Sequence, residues 1–106
     1  MTTIWDPDAI ESLRDVANYI KRSFGKKARQ NFMLKVYETE ELLKRNPDIA
    51  PKDPLFEDRA DVYRSIFINN LSRLVYRVDG DVVNIVGFWD CRRDPKALVE
   101  RATDWE

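Results

Sequence analysis

The sequence predicts an α+β fold in which an N-terminal helical hairpin packs on a mainly antiparallel sheet of three to four strands. Two observations support this prediction. Two long stretches with apolar residues at helical spacing come first, and three runs of strand-like residues follow them. With 106 residues, the chain has the size of one domain that can bury its own core. We therefore treat residues 1–106 as a single domain.

The first half of the chain carries the signals of two helices. Asp6 can cap free backbone N–H groups, and the proline after it suits the first helical position. One apolar stripe then runs from Ile10 to Phe24, and Gly25 is placed to end the helix in the left-handed conformation. A second helix opens at Lys26 and stops at an Asn-Pro pair. A single glycine-bearing turn between two helices predicts a hairpin whose apolar stripes face one core.

The second half of the chain carries the signals of a sheet. Three strand-like runs follow a proline-rich loop: Val62–Ile68, Ser72–Val78 and Val82–Trp89. The first run ends at Asn69-Asn70, a pair that tolerates the positive φ of a tight turn, and the second ends at Asp79-Gly80, a stronger signal of the same kind. Thr2–Trp5 is a candidate edge strand, and a short C-terminal helix is predicted from Asp94 to Ala102.

Strand alternation predicts where the arginines lie. In the middle strand, Arg73 and Arg77 alternate with residues that fit against the helices, and Arg64 in the first strand can share the open face with them. Arg92 and Arg93 come just past the third strand. Because guanidinium suits carboxylate and phosphate recognition, we predict that these arginines form a contact surface. The alternative is that they pair with nearby aspartates in ordinary surface salt bridges.

Basic residues also crowd the turn between the two predicted helices: Lys21, Arg22, Lys26, Lys27 and Arg29. We interpret this cluster as a solvated helix surface, because charge runs at helix ends are common. Contact with a phosphate or an acidic partner is the alternative interpretation.

Composition excludes several kinds of site. The net charge is −1, so no overall field draws the protein to nucleic acid or to an anionic membrane. The chain has one cysteine and no histidine, so we expect no disulfide, no metal and no cofactor. No apolar run approaches the roughly 18 residues of a membrane span, and the N-terminus lacks the pattern of a signal peptide. We therefore expect no membrane partner and a cytoplasmic location.

Short motifs stand in a fixed order along the second half of the chain: Tyr63-Arg64-Ser65, Tyr76-Arg77-Val78-Asp79-Gly80-Asp81, Asn84-Ile85-Val86 and Arg92-Arg93-Asp94-Pro95. With the order helix, helix, three strands, they resemble the toxins of the RelE/ParE superfamily from bacterial type II toxin–antitoxin pairs. The resemblance covers nearly the whole chain. It implies that a cognate antitoxin is a partner.

The resemblance implies one of two activities. ParE-like members resemble inhibitors of DNA gyrase that act by binding. RelE-like members resemble ribosome-dependent endoribonucleases, and Arg64, Arg73 and Arg92 fall where that branch has its basic residues. However, Leu98 stands about where that branch often has a tyrosine, which leaves general acid–base catalysis without a candidate residue. The motifs resemble the ParE branch more closely.

We therefore expect a ParE-like toxin that binds a target such as DNA gyrase and is neutralised by a cognate antitoxin. The candidate contact residues are Arg64, Arg73, Arg77, Arg92 and Arg93. One alternative is an endoribonuclease that acts on mRNA at the ribosome, with the three arginines of that branch stabilising the transition state. The other alternative is an inactive member that only binds its antitoxin.

Overall fold

A computed structural model describes residues 1–70 and 72–90, and it confirms the predicted α+β architecture. The elements in chain order are β1 (Thr2–Trp5), α1 (Pro7–Phe24), α2 (Lys26–Arg45), a short 3-10 helix (Pro54–Phe56), β2 (Arg64–Asn69), β3 (Ser72–Asp79) and β4 (Val82–Asp90). The sheet order is β1-β4-β3-β2. β1 stands at the end of this order, so it is the edge strand that the sequence indicated. In the sheet of the described residues, β1 pairs with β4 in parallel and the other two pairs are antiparallel. The predicted C-terminal helix, Arg92 and Arg93 lie outside the described residues.

The helical hairpin begins and turns where the sequence predicts. The side chain of Asp6 accepts a hydrogen bond from the backbone N–H of Asp8, which caps α1. Gly25 ends α1, and its N–H donates to the carbonyl of Lys21. With φ 96° and ψ 174°, Gly25 has a positive φ but an extended ψ, so the left-handed helical conformation that we predicted is wrong. Among the described helices, none combines the length and the apolar character needed to cross a membrane.

The main core lies between the helices and the sheet. Its buried side chains include Phe32, Val36 and Leu43 from α2, Leu74 and Tyr76 from β3, and Val83, Ile85 and Phe88 from β4. The rings of Phe32 and Phe88 meet edge to face at 5.9 Å, which joins α2 to the centre of the sheet. Burial of each large apolar side chain contributes roughly 1.5–3 kcal/mol, so this layer holds the hairpin on the sheet.

The segment of residues 47–63, here called the strap, wraps around the β2 edge of the sheet. Where it crosses the edge, the N–H of Ser65 donates to the carbonyl of Pro51, and Lys52 forms an isolated bridge with Arg64. The N–H of Asp53 donates to the carbonyl of Tyr63 and completes this bridge. Ala50, before the bridge, is buried in the main core, and Phe56, after it, is buried in a cluster on the opposite face. The strap therefore reaches from the helix side of the sheet to the opposite side.

A second, smaller core lies under the strap. Its buried members are Phe56, Tyr63, Val75, Val86 and Trp89. The sheet face that the sequence left open is therefore partly covered, because the strap brings its own aromatic side chains onto it.

The two hairpin turns differ from their predicted form. The β3–β4 loop consists of Gly80 and Asp81, since Asp79 pairs with Val82. Gly80 has φ 61° and the next residue does not have a positive φ, which is the sign pattern of a type II′ turn. Asn69 and Asn70 have no positive φ either, so the conformation that we predicted for the β2–β3 turn is wrong.

Candidate functional site

Arg64 lies on the helix side of the sheet. It is directly opposite Tyr76 in the β2–β3 ladder, and opposed residues of an antiparallel pair share a face. Because Tyr76 belongs to the main core, the expectation that Arg64 shares a face with the two arginines of β3 is wrong. The Nη1 atom of Arg64 donates to the carbonyl of Ala50 at 2.8 Å, and its Nε lies 3.9 Å from the carboxylate of Asp48. Arg64 thereby holds the start of the strap.

Arg73 lies on the opposite side of the sheet and holds the strap there. Its Nη1 lies 3.6 Å from Oδ2 of Asp53, whose side chain is fully buried. The Arg73 side chain is 16% exposed. Its buried Nε and the Asp53 Oδ2 have no hydrogen-bond partner in the described part of the chain. The other carboxylate oxygen of Asp53 accepts from the N–H of Leu55 and caps the 3-10 helix. Arg73 is thus engaged inside the fold.

Arg77 sits in a network of polar side chains near the end of β3. Its Nε donates to Asp79 at 2.8 Å, and its Nη1 donates to the hydroxyl of Tyr63 at 3.1 Å. Asp61 lies 3.8 Å from Nη1. The hydrogen bond to Asp79 raises the pKa of Arg77 above the usual value for a guanidinium, so Arg77 remains a cation. Arg77 therefore forms the surface salt bridges that the sequence offered as the alternative to a contact surface, and its partners are Asp61 and Asp79.

Arg64 and Arg77 meet at one cavity of about 460 Å³, here called the edge cavity. Its charged lining residues are Lys52, Arg64 and Arg77, together with Asp48, Asp61 and Asp79. Positive and negative groups are therefore balanced around it. The structure brings together two of the predicted arginines and leaves Arg73 outside this lining. The sequence prediction missed Lys52, because only the path of the strap around the edge carries it to this position.

A second concave surface, here called the tip groove, lies beside the turn of the helical hairpin. Its volume is about 340 Å³, and its apolar lining includes Val16, Ile20, Phe24, Phe32 and Ile68. The Phe24 side chain is 69% exposed, so its predicted place in the buried stripe of α1 is wrong. The stripe ends one turn earlier, at Ile20, which is partly buried.

Comparison with protein families identifies the chain. The family model described as the ParE toxin of type II toxin–antitoxin systems, parDE, matches residues 3–95. The chain belongs to the ParE toxin family. The match spans both helices and all four strands, and it confirms the RelE/ParE superfamily resemblance seen in the sequence motifs.

Solved structures share the fold of this ParE-family chain. The chromosomal ParDE TA system from P. aeruginosa matches with TM-score 0.68 at 14% identity, over 85% of this chain and 95% of that chain. A YoeB/ParE toxin from Agrobacterium tumefaciens matches with TM-score 0.60 at 21% identity, over 85% and 98%. A YoeB dimer from Staphylococcus aureus matches with TM-score 0.59 at 23% identity, over 84% and 94%. At these identities the likeness concerns the fold alone. No curated protein matches the sequence at a significant level.

The positions of the arginines in this ParE-family chain bear on the choice between target binding and RNA cleavage, the two activities that the superfamily resemblance implied. The arginines predicted for phosphate stabilisation include Arg64 and Arg73, which lie on opposite faces of the sheet. The cation of Arg73 faces the buried carboxylate of Asp53, and Arg73 does not line the cavity where Arg64 lies. Burial raises the pKa of the Tyr76 phenol, so it is a poor base near neutral pH. Within residues 1–70 and 72–90, no cluster of three potential metal ligands occurs.

Proposed function

We propose that this chain is a ParE-like toxin that arrests growth by binding a target such as DNA gyrase in the cytoplasm. The observation that carries the proposal is the match of residues 3–95 to the ParE toxin family. The position of Arg73, which is held by Asp53 and lies outside the cavity that Arg64 lines, supports binding over RNA cleavage, because a cleavage site needs charges that meet at one phosphate.

A cognate antitoxin completes the proposed function. Two of the structures that share this fold are YoeB–YefM toxin–antitoxin complexes from Staphylococcus aureus, one of them heterotetrameric, each with TM-score 0.55. By analogy, an antitoxin covers the exposed surfaces of this chain and keeps it inactive. This partner would be encoded beside the toxin.

The edge cavity is the proposed contact surface in the described part of the chain. Arg64 and Arg77 present permanent cations there, beside carboxylates that can pair with a basic group of the partner. Arg92 and Arg93, predicted from sequence, complete the set of contact candidates. We leave Arg73 out of this surface, because its guanidinium is held under the strap by Asp53.

Expression without the partner, followed by two assays, tests the proposal. We expect growth arrest that co-expression of the neighbouring gene product relieves. The purified chain should block supercoiling by gyrase and leave mRNA intact. Ribosome-dependent cleavage of mRNA would instead identify a RelE-like endoribonuclease. Tight binding to the antitoxin without growth arrest would identify an inactive member of the family.

A pair of arginine variants tests the contact surface. Arg77→Gln should weaken gyrase inhibition by about tenfold or more, the effect of losing roughly 1.4 kcal/mol at an interface. Arg14→Gln is the matched control, because Arg14 is an exposed arginine on α1 that lies away from the edge cavity. Thermal unfolding of both variants separates loss of contact from loss of fold. Equal inhibition by the two variants would remove the edge cavity from the proposed surface.

A further inference from the structure

The outer side of α2, which faces away from the sheet, carries two large apolar side chains. Successive residues of a helix are turned by about 100°, so Leu34 lies almost opposite Phe32, a member of the main core. Tyr37 follows Leu34 at a spacing of three residues, which makes the two side chains neighbours on the helix surface. Leu34 is 55% exposed and Tyr37 is 59% exposed. Because polar residues are usual on the outer side of a surface helix, this pair marks a candidate contact surface.

Residues of opposite charge stand on either side of this apolar pair. Lys27 lies seven positions before Leu34, and Glu41 lies seven positions after it. Because seven residues make nearly two full turns, all three lie on the outer side of the helix. In the described part of the chain, Lys27 forms no ion pair. Glu41 contacts Lys44 of its own helix at 3.0 Å, in an exposed pair of the kind that contributes little to stability.

The outer stripe is defined here as the exposed or partly exposed residues of this side of α2: Lys27, Gln30, Leu34, Tyr37, Glu38 and Glu41. Along the chain it passes from basic through apolar to acidic. A surface with this order is complementary to a copy of itself that runs in the opposite direction.

We propose that the outer stripe binds the outer stripe of a second copy of this chain, with the two α2 helices antiparallel and a twofold axis at Leu34. The two Leu34 side chains meet on this axis. Lys27 of each copy faces Glu41 of the other, and Gln30 of each copy faces Glu38 of the other. The contact uses the same surface on both copies, so it closes at two copies.

The charge pattern favours a reversed second copy over other occupants of the outer stripe. In a parallel pair of α2 helices, Lys27 would face Lys27 and Glu41 would face Glu41, so like charges would meet at both ends. An acidic partner would match the Lys27 end alone, and a basic partner would match the Glu41 end alone. A reversed copy matches both ends and also supplies an apolar centre. Of the basic residues around the hairpin turn, Lys27 thus has an acidic contact in the dimer.

The dimer should be weak, because a single helix from each copy forms the contact. α2 has 20 residues and is therefore about 30 Å long. A pair of such helices buries less than the roughly 800 Å² per partner of a standard interface. We therefore expect a dissociation constant in the micromolar range or above, and an affinity that falls as salt is raised. The described residues that line the edge cavity all lie outside α2, so the dimer leaves both edge cavities open.

Analytical ultracentrifugation of the purified full chain, from low micromolar to near-millimolar concentration, tests the inference. We expect the wild-type chain to pass from monomer to dimer over this range. Leu34→Ala should weaken the dimer about tenfold or more, because the side chain is lost from both copies at the axis. Ile49→Ala is the matched control, since it removes an aliphatic side chain of similar exposure from the strap, and it should leave the dimer unchanged. Circular dichroism checks that both variants are folded.

Charge reversal tests the orientation of the two helices. Lys27→Glu and Glu41→Lys should each weaken self-association about tenfold or more, because each places like charges at both ends of an antiparallel pair. A parallel pair already has like charges at both ends, so these variants would not weaken it. An equimolar mixture of the two variants should form dimers again, since one helix is then acidic at both ends and the other is basic. Arg14→Glu, at an exposed position of α1, is the control and should leave self-association unchanged.

Three results would overturn the inference. The first is a wild-type chain that stays monomeric near millimolar concentration, which would leave the outer stripe to another occupant. The second is a dimer that Leu34→Ala does not weaken. The third is a mixture of the two charge variants that fails to restore the dimer. Because none of these measurements involves growth arrest or supercoiling, the inference and the proposed function can fail independently.

Discussion

Arg73 Nη1 lies 3.6 Å from Oδ2 of Asp53, and this contact fastens the strap to the sheet. Asp53 is 1% exposed, and it also caps the 3-10 helix through the N–H of Leu55. One carboxylate thus fixes both the conformation of the strap and its position on β3. An arginine that the sequence presents as a surface contact is consequently part of the internal structure.

Asp53→Asn isolates the charge in this contact. The amide oxygen of asparagine can still accept from Leu55, but it no longer neutralises Arg73. We expect the free energy of unfolding to fall by about 2–3 kcal/mol. This is at the lower end of, or below, the roughly 3–5 kcal/mol for a broken buried ion pair, because Arg73 retains some solvent access. Urea denaturation, monitored by tryptophan fluorescence, measures this free energy. Asp58→Asn, the same change at an exposed strap position, should stay within about 0.5 kcal/mol. Equal losses in the two variants would contradict the prediction.

The Tyr76 phenol predicts a dependence of stability on alkaline pH. Burial raises its pKa in the folded protein, and its hydroxyl donates to the carbonyl of Pro47 at 2.7 Å. Because the folded pKa is higher than the unfolded value of about 10, this contribution is complete below pH ~10. It is lost as the pH rises from there through the folded pKa. Tyr76→Phe should lower stability at pH 7 by about 1 kcal/mol and flatten this alkaline decline. Urea denaturation between pH 7 and 11 checks both effects, and an unchanged alkaline slope would refute the assignment to Tyr76.

Loss of the Glu40 side chain should destabilise β1 more than the other strands. Its two carboxylate oxygens accept from the indole Nε1 of Trp5 at 2.7 Å and from the hydroxyl of Thr3 at 3.0 Å. Glu40→Ala removes both acceptors and should cost about 2 kcal/mol. Amide hydrogen exchange should accelerate in β1 more than in β3, because β1 is an edge strand held by one neighbour. Glu38→Ala, at an exposed position of α2, is the control. Uniform acceleration across the sheet would argue against a local role for Glu40.

A side chain at Gly25 should lower the free energy of unfolding through backbone strain and not through steric overlap. A Cβ built at Gly25 meets no atom within 4 Å, but φ 96° with ψ 174° lies in a region that only glycine adopts readily. Gly25→Ala should therefore lower the free energy of unfolding by about 1–3 kcal/mol. Asparagine at this position should be no better, because it tolerates the left-handed helical region and not this one. Thermal unfolding, with Ser23→Ala as the neighbouring control, measures the difference. A neutral Gly25→Ala would show that the hairpin turn can relax.

Local patterns in the sequence predicted the elements well, because their causes are local. The Asp6 cap, the apolar stripes and the glycine turns act within a few residues of one another. The face of β2 was mispredicted for a physical reason. Ile66, Phe67 and Ile68 are all apolar, so alternation in this strand does not specify which set of side chains faces the core.

The partners of the arginines depend on contacts that are distant in sequence. Asp48 and Asp53 approach Arg64 and Arg73 only because the strap passes around the edge of the sheet. A proline-rich loop gives no periodic signal for such a path. The same path created the edge cavity, so its composition could not be predicted from strand alternation.

The path of the strap also has a consequence for the order of folding. We expect the strap to complete its contacts only after β2 and β3 have paired, since its anchors lie on both strands and on both faces of the sheet. Its contacts should therefore be absent from the rate-limiting transition state. Destabilising changes such as Asp53→Asn are then expected to speed unfolding while leaving the refolding rate nearly unchanged. The contacts of Arg64 and Arg73 would then set the unfolding rate, and so the lifetime of the folded protein, and would have little effect on the folding rate.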